Sequence, residues 1–128
     1  METLKRFESA HRRVSVAAMR ACFHDDALIE SVASDGRPLD ADRTVEALRE
    51  ALADGVYAIG DWQYEELEPT VVLSSTGARH RLADARIRDE MVFRLIVGRD
   101  GLMWRVKLFH TREEALGYLA EHRSELGI

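Results

Sequence analysis

Apolar residues recur at helical spacing along the first 22 positions of this chain. Intervals of three and four residues place one set of side chains on a single face: Leu4, Phe7, His11, Val14, Ala18 and Cys22. This periodicity is typical of an amphipathic helix that packs one side against a core. We therefore predict one long N-terminal helix.

A second helical pattern follows a short apolar run at residues 27–32, which reads as a turn or a strand. Asp40 or Asp42 can cap this helix, and Gly55 stands where a left-handed residue commonly ends one. Its apolar side consists of Val45, Leu48 and Leu52. Three helical pieces therefore precede any long strand.

Strand patterns dominate the second half of the chain, in four runs at 62–68, 70–75, 85–97 and 102–109. Asp100-Gly101 is a favoured two-residue hairpin turn, so the last two runs should pair as antiparallel neighbours. Thr111 and Glu114 match a capping box, which predicts a C-terminal helix. Helices followed by an antiparallel sheet indicate an α+β fold, with the sheet wrapped around the first helix.

Alternation along the run at 85–97 leaves one carboxylate among apolar side chains. One face contains Ile87, Asp89, Met91, Phe93, Leu95 and Val97. The other contains Arg86, Arg88, Glu90, Val92, Arg94 and Ile96. Because the first face is the more apolar, the period of two predicts that Asp89 faces the core.

Asp89 is therefore the candidate catalytic residue. A carboxylate on an apolar face would have a raised pKa, which suits a general base that removes a proton beside a carbonyl group. The alternative is that Asp89 lies near the mouth of the fold, wetted or paired with Arg81 or His80, and only satisfies polar groups.

Candidate ligand-binding residues follow from the same alternation. Trp104, Val106 and Leu108 share a wholly apolar face of the last strand, which we assign inward. Trp62 and Tyr64 can form an aromatic wall, although core packing is the favoured explanation for them, and His110 lies beside the pocket entrance or in solvent. The predicted ligand-binding set is Trp62, Tyr64, Met91, Phe93, Trp104, Val106, Leu108 and His110.

Composition excludes several classes of function. With 18 Lys and Arg against 23 Asp and Glu, the net charge of −5 argues against nucleic acid as a partner. No apolar run is long enough to span a membrane, and no secretory signal precedes the first helix, so we predict a cytoplasmic, single-domain protein over residues 1–128. The lone Cys22 and the lack of a metal-ligand cluster or phosphate loop predict no cofactor.

Three segments of the chain resemble the SnoaL-like branch of the nuclear transport factor 2-like superfamily. They are Phe23-His24-Asp25-Asp26-Ala27-Leu28-Ile29-Glu30, the helix at 45–52 before Gly55-Val56-Tyr57, and Arg99-Asp100-Gly101-Leu102-Met103-Trp104-Arg105-Val106 with Arg112-Glu113-Glu114-Ala115-Leu116. The resemblance spans roughly residues 7–119. It implies a cone, with N-terminal helices packed in the concavity of a curved mixed or antiparallel sheet and a pocket closed at one end by the C-terminal helix.

The resemblance implies a fold more firmly than an activity, since this superfamily includes isomerases, epoxide hydrolases, dehydratases, polyketide cyclases and members without known catalysis. In its epoxide-hydrolase branch, a catalytic Asp stands two residues after a similar Trp, and this chain has Val106 there. Asp89 could match the second carboxylate of that branch. The catalytic set is therefore incomplete.

Two functions remain open. The first, which we favour, is a binding protein for a small hydrophobic molecule, held as a homodimer by an outer sheet face that carries Val92, Ile96, Met103 and Phe109. The second is a cofactor-independent isomerase, polyketide cyclase or hydrolase with Asp89 as general base and Tyr64 or His110 as proton donor. A polar partner for Asp89 across the pocket would distinguish them.

Overall fold

A computed structural model describes residues 1–34, 36–54, 57–81 and 87–128, apart from the side chains of 57–61, 80, 81, 87 and 88. The elements in chain order are α1 (Glu2–Arg12), α2 (Val16–Arg20), β1 (Phe23–Ile29), a 3-10 turn (Val32–Ser34), α3 (Ala41–Ala53), β2 (Tyr57–Glu68), β3 (Val71–Arg81), β4 (Ile87–Arg99), β5 (Leu102–Phe109) and α4 (Arg112–Glu121). Helices precede a long sheet, so the predicted α+β class is confirmed.

The five strands form one curved open sheet in the order β1-β5-β4-β3-β2. β1 runs parallel to β5, and the other neighbours are antiparallel, so the sheet is mixed. Asp100 and Gly101 have φ values of 56° and 75°, as a type I′ turn requires at both central positions. The predicted hairpin between β4 and β5 is therefore confirmed.

The N-terminal helical pattern is divided into two helices, so the prediction of one long helix was wrong. Val14 takes a left-handed φ of 53°, and the Ser15 hydroxyl then accepts a hydrogen bond from the Ala18 N–H as the cap of α2. The change of direction lets Ala10 on α1 and Met19 on α2 reach the same core, where both are fully buried. Val14 remains exposed at the bend.

Two predicted helix caps are present. The Asp40 carboxylate accepts a hydrogen bond from the Arg43 N–H at 2.8 Å, so Asp40 rather than Asp42 begins α3. Thr111 Oγ1 accepts from the Glu114 N–H at 3.1 Å and donates to the Glu114 carboxylate at 3.0 Å, which fixes the start of α4. Gly55, predicted to end α3, lies outside the described residues.

Each face of the sheet packs against helices over part of its area. One core fills the space between the sheet and α1–α3 and includes Phe7, Phe23, Val72, Ile96 and Val106. The other lies between the sheet and the C-terminal segment and includes Val71, Leu95, Val97, Trp104, Leu119 and Leu126. α4 therefore packs on the face opposite α1, and the expectation that it closes the pocket beside the N-terminal helices was wrong.

The two faces of β4 are reversed relative to the prediction from alternation. Ile96 packs with the α1–α3 core, whereas Leu95 and Val97 pack with the α4 core. Both faces of the strand carry apolar residues because both are covered by helices. The apolar content of the two faces of β4 was therefore a poor guide, and the face predicted to pack against α1 was the wrong one.

A β-bulge changes the alternation on β5. Val97 pairs with Arg105 and Gly98 pairs with Met103, which leaves Trp104 as an extra residue on β5. Trp104 consequently packs in the α4 core, while Met103 and Val106 belong to the α1–α3 core. The prediction that Trp104 and Val106 share a face was wrong for this reason.

The residues predicted to form the dimer interface instead pack against other residues of the same chain. Val92, Ile96 and Met103 are 0%, 6% and 4% exposed, and the Phe109 ring packs on Tyr118 with the ring centres 5.5 Å apart. These four residues form no outer apolar patch, so the argument for dimerisation from such a patch does not hold. None of the described helices is long and apolar enough to cross a membrane.

Candidate functional site

A pocket of about 70 Å³ lies between α1, α3 and the face of the sheet that they cover. Its apolar walls are provided by Leu4, Phe7, Phe23, Leu48, Ile96 and Val106. Its polar side chains include His11 from α1, Tyr64 from β2 and Arg94 from β4. A mainly apolar recess with a few convergent polar groups is the usual form of a small-molecule site.

The Trp62 ring lies within contact distance of two polar side chains of the pocket, His11 and Arg94. Its centre lies 5.7 Å from the centre of the His11 ring and 5.9 Å from that of Phe7. The guanidinium carbon of Arg94 lies 5.3 Å from the Trp62 ring centre, within the range of a cation–π contact. Helix α1 and strands β2 and β4 therefore meet at one polar corner of the pocket.

Tyr64 is held as a neutral hydrogen-bond donor. Its hydroxyl donates to Glu8 Oε1 at 2.6 Å. Burial, followed by the hydrogen bond and the negative charge of Glu8, raises the pKa of Tyr64 above its ordinary value. Glu8 in turn pairs with Arg12 at 2.9 Å, so α1 fixes the orientation of this phenol.

His11 is held in its neutral form. Burial lowers the pKa of His11, and the nearby charges of Arg94 and Arg12 lower it further. At neutral pH the imidazole therefore offers one N–H donor and one nitrogen acceptor to the pocket.

Arg94 is the cationic side chain among the described residues that line the pocket. Its Nη1 is buried and has no hydrogen-bond partner among the residues that the structure describes. Burial lowers the pKa of Arg94 to about 10, so its guanidinium is still a cation at neutral pH. A buried donor without an acceptor is destabilising by about 1–3 kcal/mol, more when the group is charged. The site can therefore offer a strong, unused hydrogen bond.

Three of the predicted ligand-binding residues line this pocket. Trp62 and Tyr64 come from β2, and Val106 comes from β5. Val106 also occupies the place where the epoxide-hydrolase resemblance expects an Asp, so an apolar side chain faces the pocket there.

Asp89 lies elsewhere, and its placement on the inward face was wrong. Its carboxylate accepts hydrogen bonds from Arg79 Nε and Nη2 at 2.8 and 2.9 Å, and its side chain is 51% exposed. The hydrogen bond and charge of Arg79 lower the pKa of Asp89, contrary to the expected rise. The side chains of His80 and Arg81, considered as its partners, lie outside the described part.

The other predicted ligand-binding residues are also away from the pocket walls. Met91 is 54% exposed, and Phe93 is half-buried next to Phe109 in the pairing of β4 with β5. Both share the face of Asp89, so the reversal of β4 removes them together. Leu108 is half-buried and His110 is exposed beyond the end of β5, and neither lines the pocket. Trp104 is excluded by the bulge.

Two residues of the site were not among the predicted ones. His11 belongs to the apolar face of the first helical pattern, and that position indicated burial beside the sheet. Arg94 stands between Phe93 and Leu95 in an otherwise apolar run, where a charge is unusual unless it is exposed or functional. A correct assignment of the two faces of β4 would have pointed to Arg94.

The described residues suggest no metal centre, since no three of their His, Cys, Asp or Glu side chains are grouped as ligands. Among the described residues, Glu30 is the one whose carboxylate lines the pocket. Its carboxylate pairs with Lys107 Nζ at 2.6 Å and accepts from the Leu108 N–H at 3.2 Å. The Glu30 carboxylate therefore already has a charge partner and a hydrogen-bond donor on β5.

Similarity to known proteins is found in structure rather than in sequence. No family model and no curated protein matches this chain. A nuclear transport factor 2-like protein of Burkholderia thailandensis E264 is similar at a TM-score of 0.71 and 15% identity, with 90% of this chain and 95% of that chain covered. One of unknown function from Burkholderia pseudomallei K96243 has a TM-score of 0.70 and 12% identity, with 91% and 94% covered.

A third similar structure is that of TerC co-crystallised with polyporic acid. Its TM-score is 0.68 at 13% identity, and the match covers 94% of this chain and 96% of that chain. These likenesses confirm, at the level of the fold, the resemblance seen in the sequence: the chain has the nuclear transport factor 2-like fold. At such low identity they assign no activity.

The lowered pKa of His11 predicts a pH dependence of stability. The unfolded imidazole, with a pKa near 6.5, binds a proton before the folded one does. Stability is therefore fully present above that value and is lost as the pH falls through the lower folded pKa. We expect the melting temperature of the wild type to fall more steeply below that value than that of His11→Phe, which keeps a ring beside Trp62. Identical slopes in thermal melts of the two proteins would contradict this.

Proposed function

We propose that this protein binds a small, largely apolar molecule in the pocket between α1, α3 and the sheet. The observation that carries the proposal is the combination of apolar walls with a few polar groups at one corner, His11, Tyr64 and Arg94. The co-crystallisation of TerC with polyporic acid supports it, because a protein of the same fold has been crystallised with a small organic acid.

The enzymatic alternative, with Asp89 as general base, lacks support from the geometry. A base must lie within hydrogen-bond reach of the proton that it removes. The Asp89 carboxylate is bound to Arg79 and does not line the pocket. We therefore keep binding as the proposed function.

The binding proposal can be tested with the two tryptophans of the chain. Trp62 lines the pocket, whereas Trp104 lies in the α4 core between Arg99 and Arg105, whose guanidinium carbons are 3.6 and 3.8 Å from its ring. In protein labelled with ¹⁵N at the indoles, small aromatic probes such as benzamide and 1-naphthamide should shift the Trp62 signal and leave that of Trp104 in place. Trp62→Phe assigns the two signals.

A blocking variant and its control make this test specific. Ala51 lines the pocket from α3, whereas Ala53 is exposed near the end of the same helix. Ala51→Phe should fill part of the pocket and weaken probe binding at least tenfold, while Ala53→Phe should bind as the wild type does. Equal binding by both variants, or a shift of the Trp104 signal alone, would contradict the proposal.

A homodimer and a cytoplasmic location stay predictions. Met91 is the large apolar side chain that is most exposed among the described residues, and it lies on the sheet face away from α1. We propose that a dimer would use this face. Sedimentation at micromolar concentration should then give twice the chain mass of 14.5 kDa, and a mass of one chain would contradict it.

A further inference from the structure

Within the described part of the chain, the Arg94 guanidinium is an unpaired charge at the polar corner of the pocket. Arg94 Nη1 is buried without a hydrogen-bond partner among the described residues, and Arg94 lines the pocket. Arg94 is half-buried as a residue, and a charge that is partly withdrawn from water is normally paired with an anion or hydrogen-bonded, because desolvation without a partner is unfavourable. The contact with the Trp62 ring offsets only part of this cost.

The groups around Arg94 are not available as its counter-charge. Tyr64 donates its hydroxyl hydrogen to Glu8, and Glu8 also pairs with Arg12. Glu30 is paired with Lys107. The described part of the pocket therefore contains a cation and no free anion.

A second unused polar group lies next to Arg94. Ser74 on β3 is directly opposite Arg94 on β4, and cross-strand partners point to the same side of a sheet. The Ser74 hydroxyl is buried and, within the described residues, has no hydrogen-bond partner. Ser74 does not line the pocket, so the donor that the pocket offers to a bound anionic oxygen is the Arg94 guanidinium.

We propose that the ligand of this pocket carries an anionic oxygen group, a carboxylate in the simplest case, which accepts hydrogen bonds from the Arg94 guanidinium. Its apolar body lies against Phe7, Trp62 and Ile96. The class is therefore that of small aromatic or alicyclic acids. This inference rests on the proposed binding function and adds the charge of the ligand to it.

The experiment compares acids with their neutral amides, which have nearly the same shape. Benzoate and 1-naphthoate are titrated beside benzamide and 1-naphthamide at neutral pH, with the Trp62 indole signal as readout and that of Trp104 as reference. We expect the acids to bind the wild type at least tenfold more tightly than the amides. High salt should narrow this difference only in part, because Arg94 is half-buried.

Variants at Arg94 decide whether the preference comes from its charge. Arg94→Met should lose the preference for the acids over the amides. Arg94→Gln keeps a hydrogen-bond donor without the charge and should also lose the preference for acids. Arg94→Lys keeps the charge and should retain part of that preference. The same change at a cation that does not line the pocket, Arg79→Met, should leave the preference intact.

The outcomes separate the two proposals. If acids and amides bind the wild type equally, or if Arg94→Met and Arg94→Gln keep the preference, the inference is wrong and the binding function stands. If no probe of either kind shifts the Trp62 signal, the proposed function fails and the inference fails with it.

Discussion

Arg94→Met is expected to make the protein more stable, by about 1–3 kcal/mol in the free energy of unfolding. Methionine fills a similar volume and requires no hydrogen bond, so the variant removes the buried Nη1 that lacks a partner. A residue that is unfavourable for stability and lies in a pocket is typical of a functional site. Urea unfolding of the variant and the wild type measures the difference.

A matched variant on the neighbouring strand controls for the loss of an arginine. Arg79→Met removes a guanidinium that donates two hydrogen bonds to the half-exposed carboxylate of Asp89. We expect it to bring no gain in stability. A loss of stability in Arg94→Met equal to or larger than that in Arg79→Met would show that Arg94 is satisfied in the free protein.

Leu95→Ala is expected to lower the free energy of unfolding by about 2–5 kcal/mol, the usual range for such a truncation in a core. Leu95 is 0% exposed and packs between the sheet and the C-terminal segment. The loss is large because the side chain is fully buried, so its truncation leaves a cavity in this core. It would show that α4 covers the sheet face opposite the pocket.

Met91→Ala is the control for this prediction, because Met91 lies on the same face of β4 and is 54% exposed. Its effect should stay within about 0.5 kcal/mol. If Met91→Ala were as destabilising as Leu95→Ala, the exposed end of that face would have to be covered, for instance by a second chain. Equal small effects would contradict the placement of Leu95 in a core.

Local chemistry predicted the parts of the fold that depend on a few neighbouring residues. The Asp100-Gly101 turn set the pairing of β4 with β5, and Thr111 and Asp40 set the starts of α4 and α3. Each of these features depends on side chains and backbone within four positions. The break at Val14 was missed, because a left-handed valine has no such local cause.

The orientation of the central strands could not be predicted in the same way. Which face of β4 meets α1 depends on where α4 packs, and both faces carry apolar residues. The bulge at Trp104 depends on the pairing of two strands and leaves no mark in the alternation of β5. These two features moved Asp89 and Trp104 out of the predicted site, and the reversal of β4 brought Arg94 into it.

We expect a small molecule to bind on the α1 side of the sheet, beside Arg94. A crystal of the protein soaked in 4-bromobenzoate tests this directly, because the anomalous scattering of bromine marks the position of the ligand. We predict bromine among the apolar walls near Phe7 and Ile96, with the carboxylate toward Arg94. Bromine on the opposite face, near Asp89 and Met91, or no bromine in the pocket at saturating concentration, would contradict the claim.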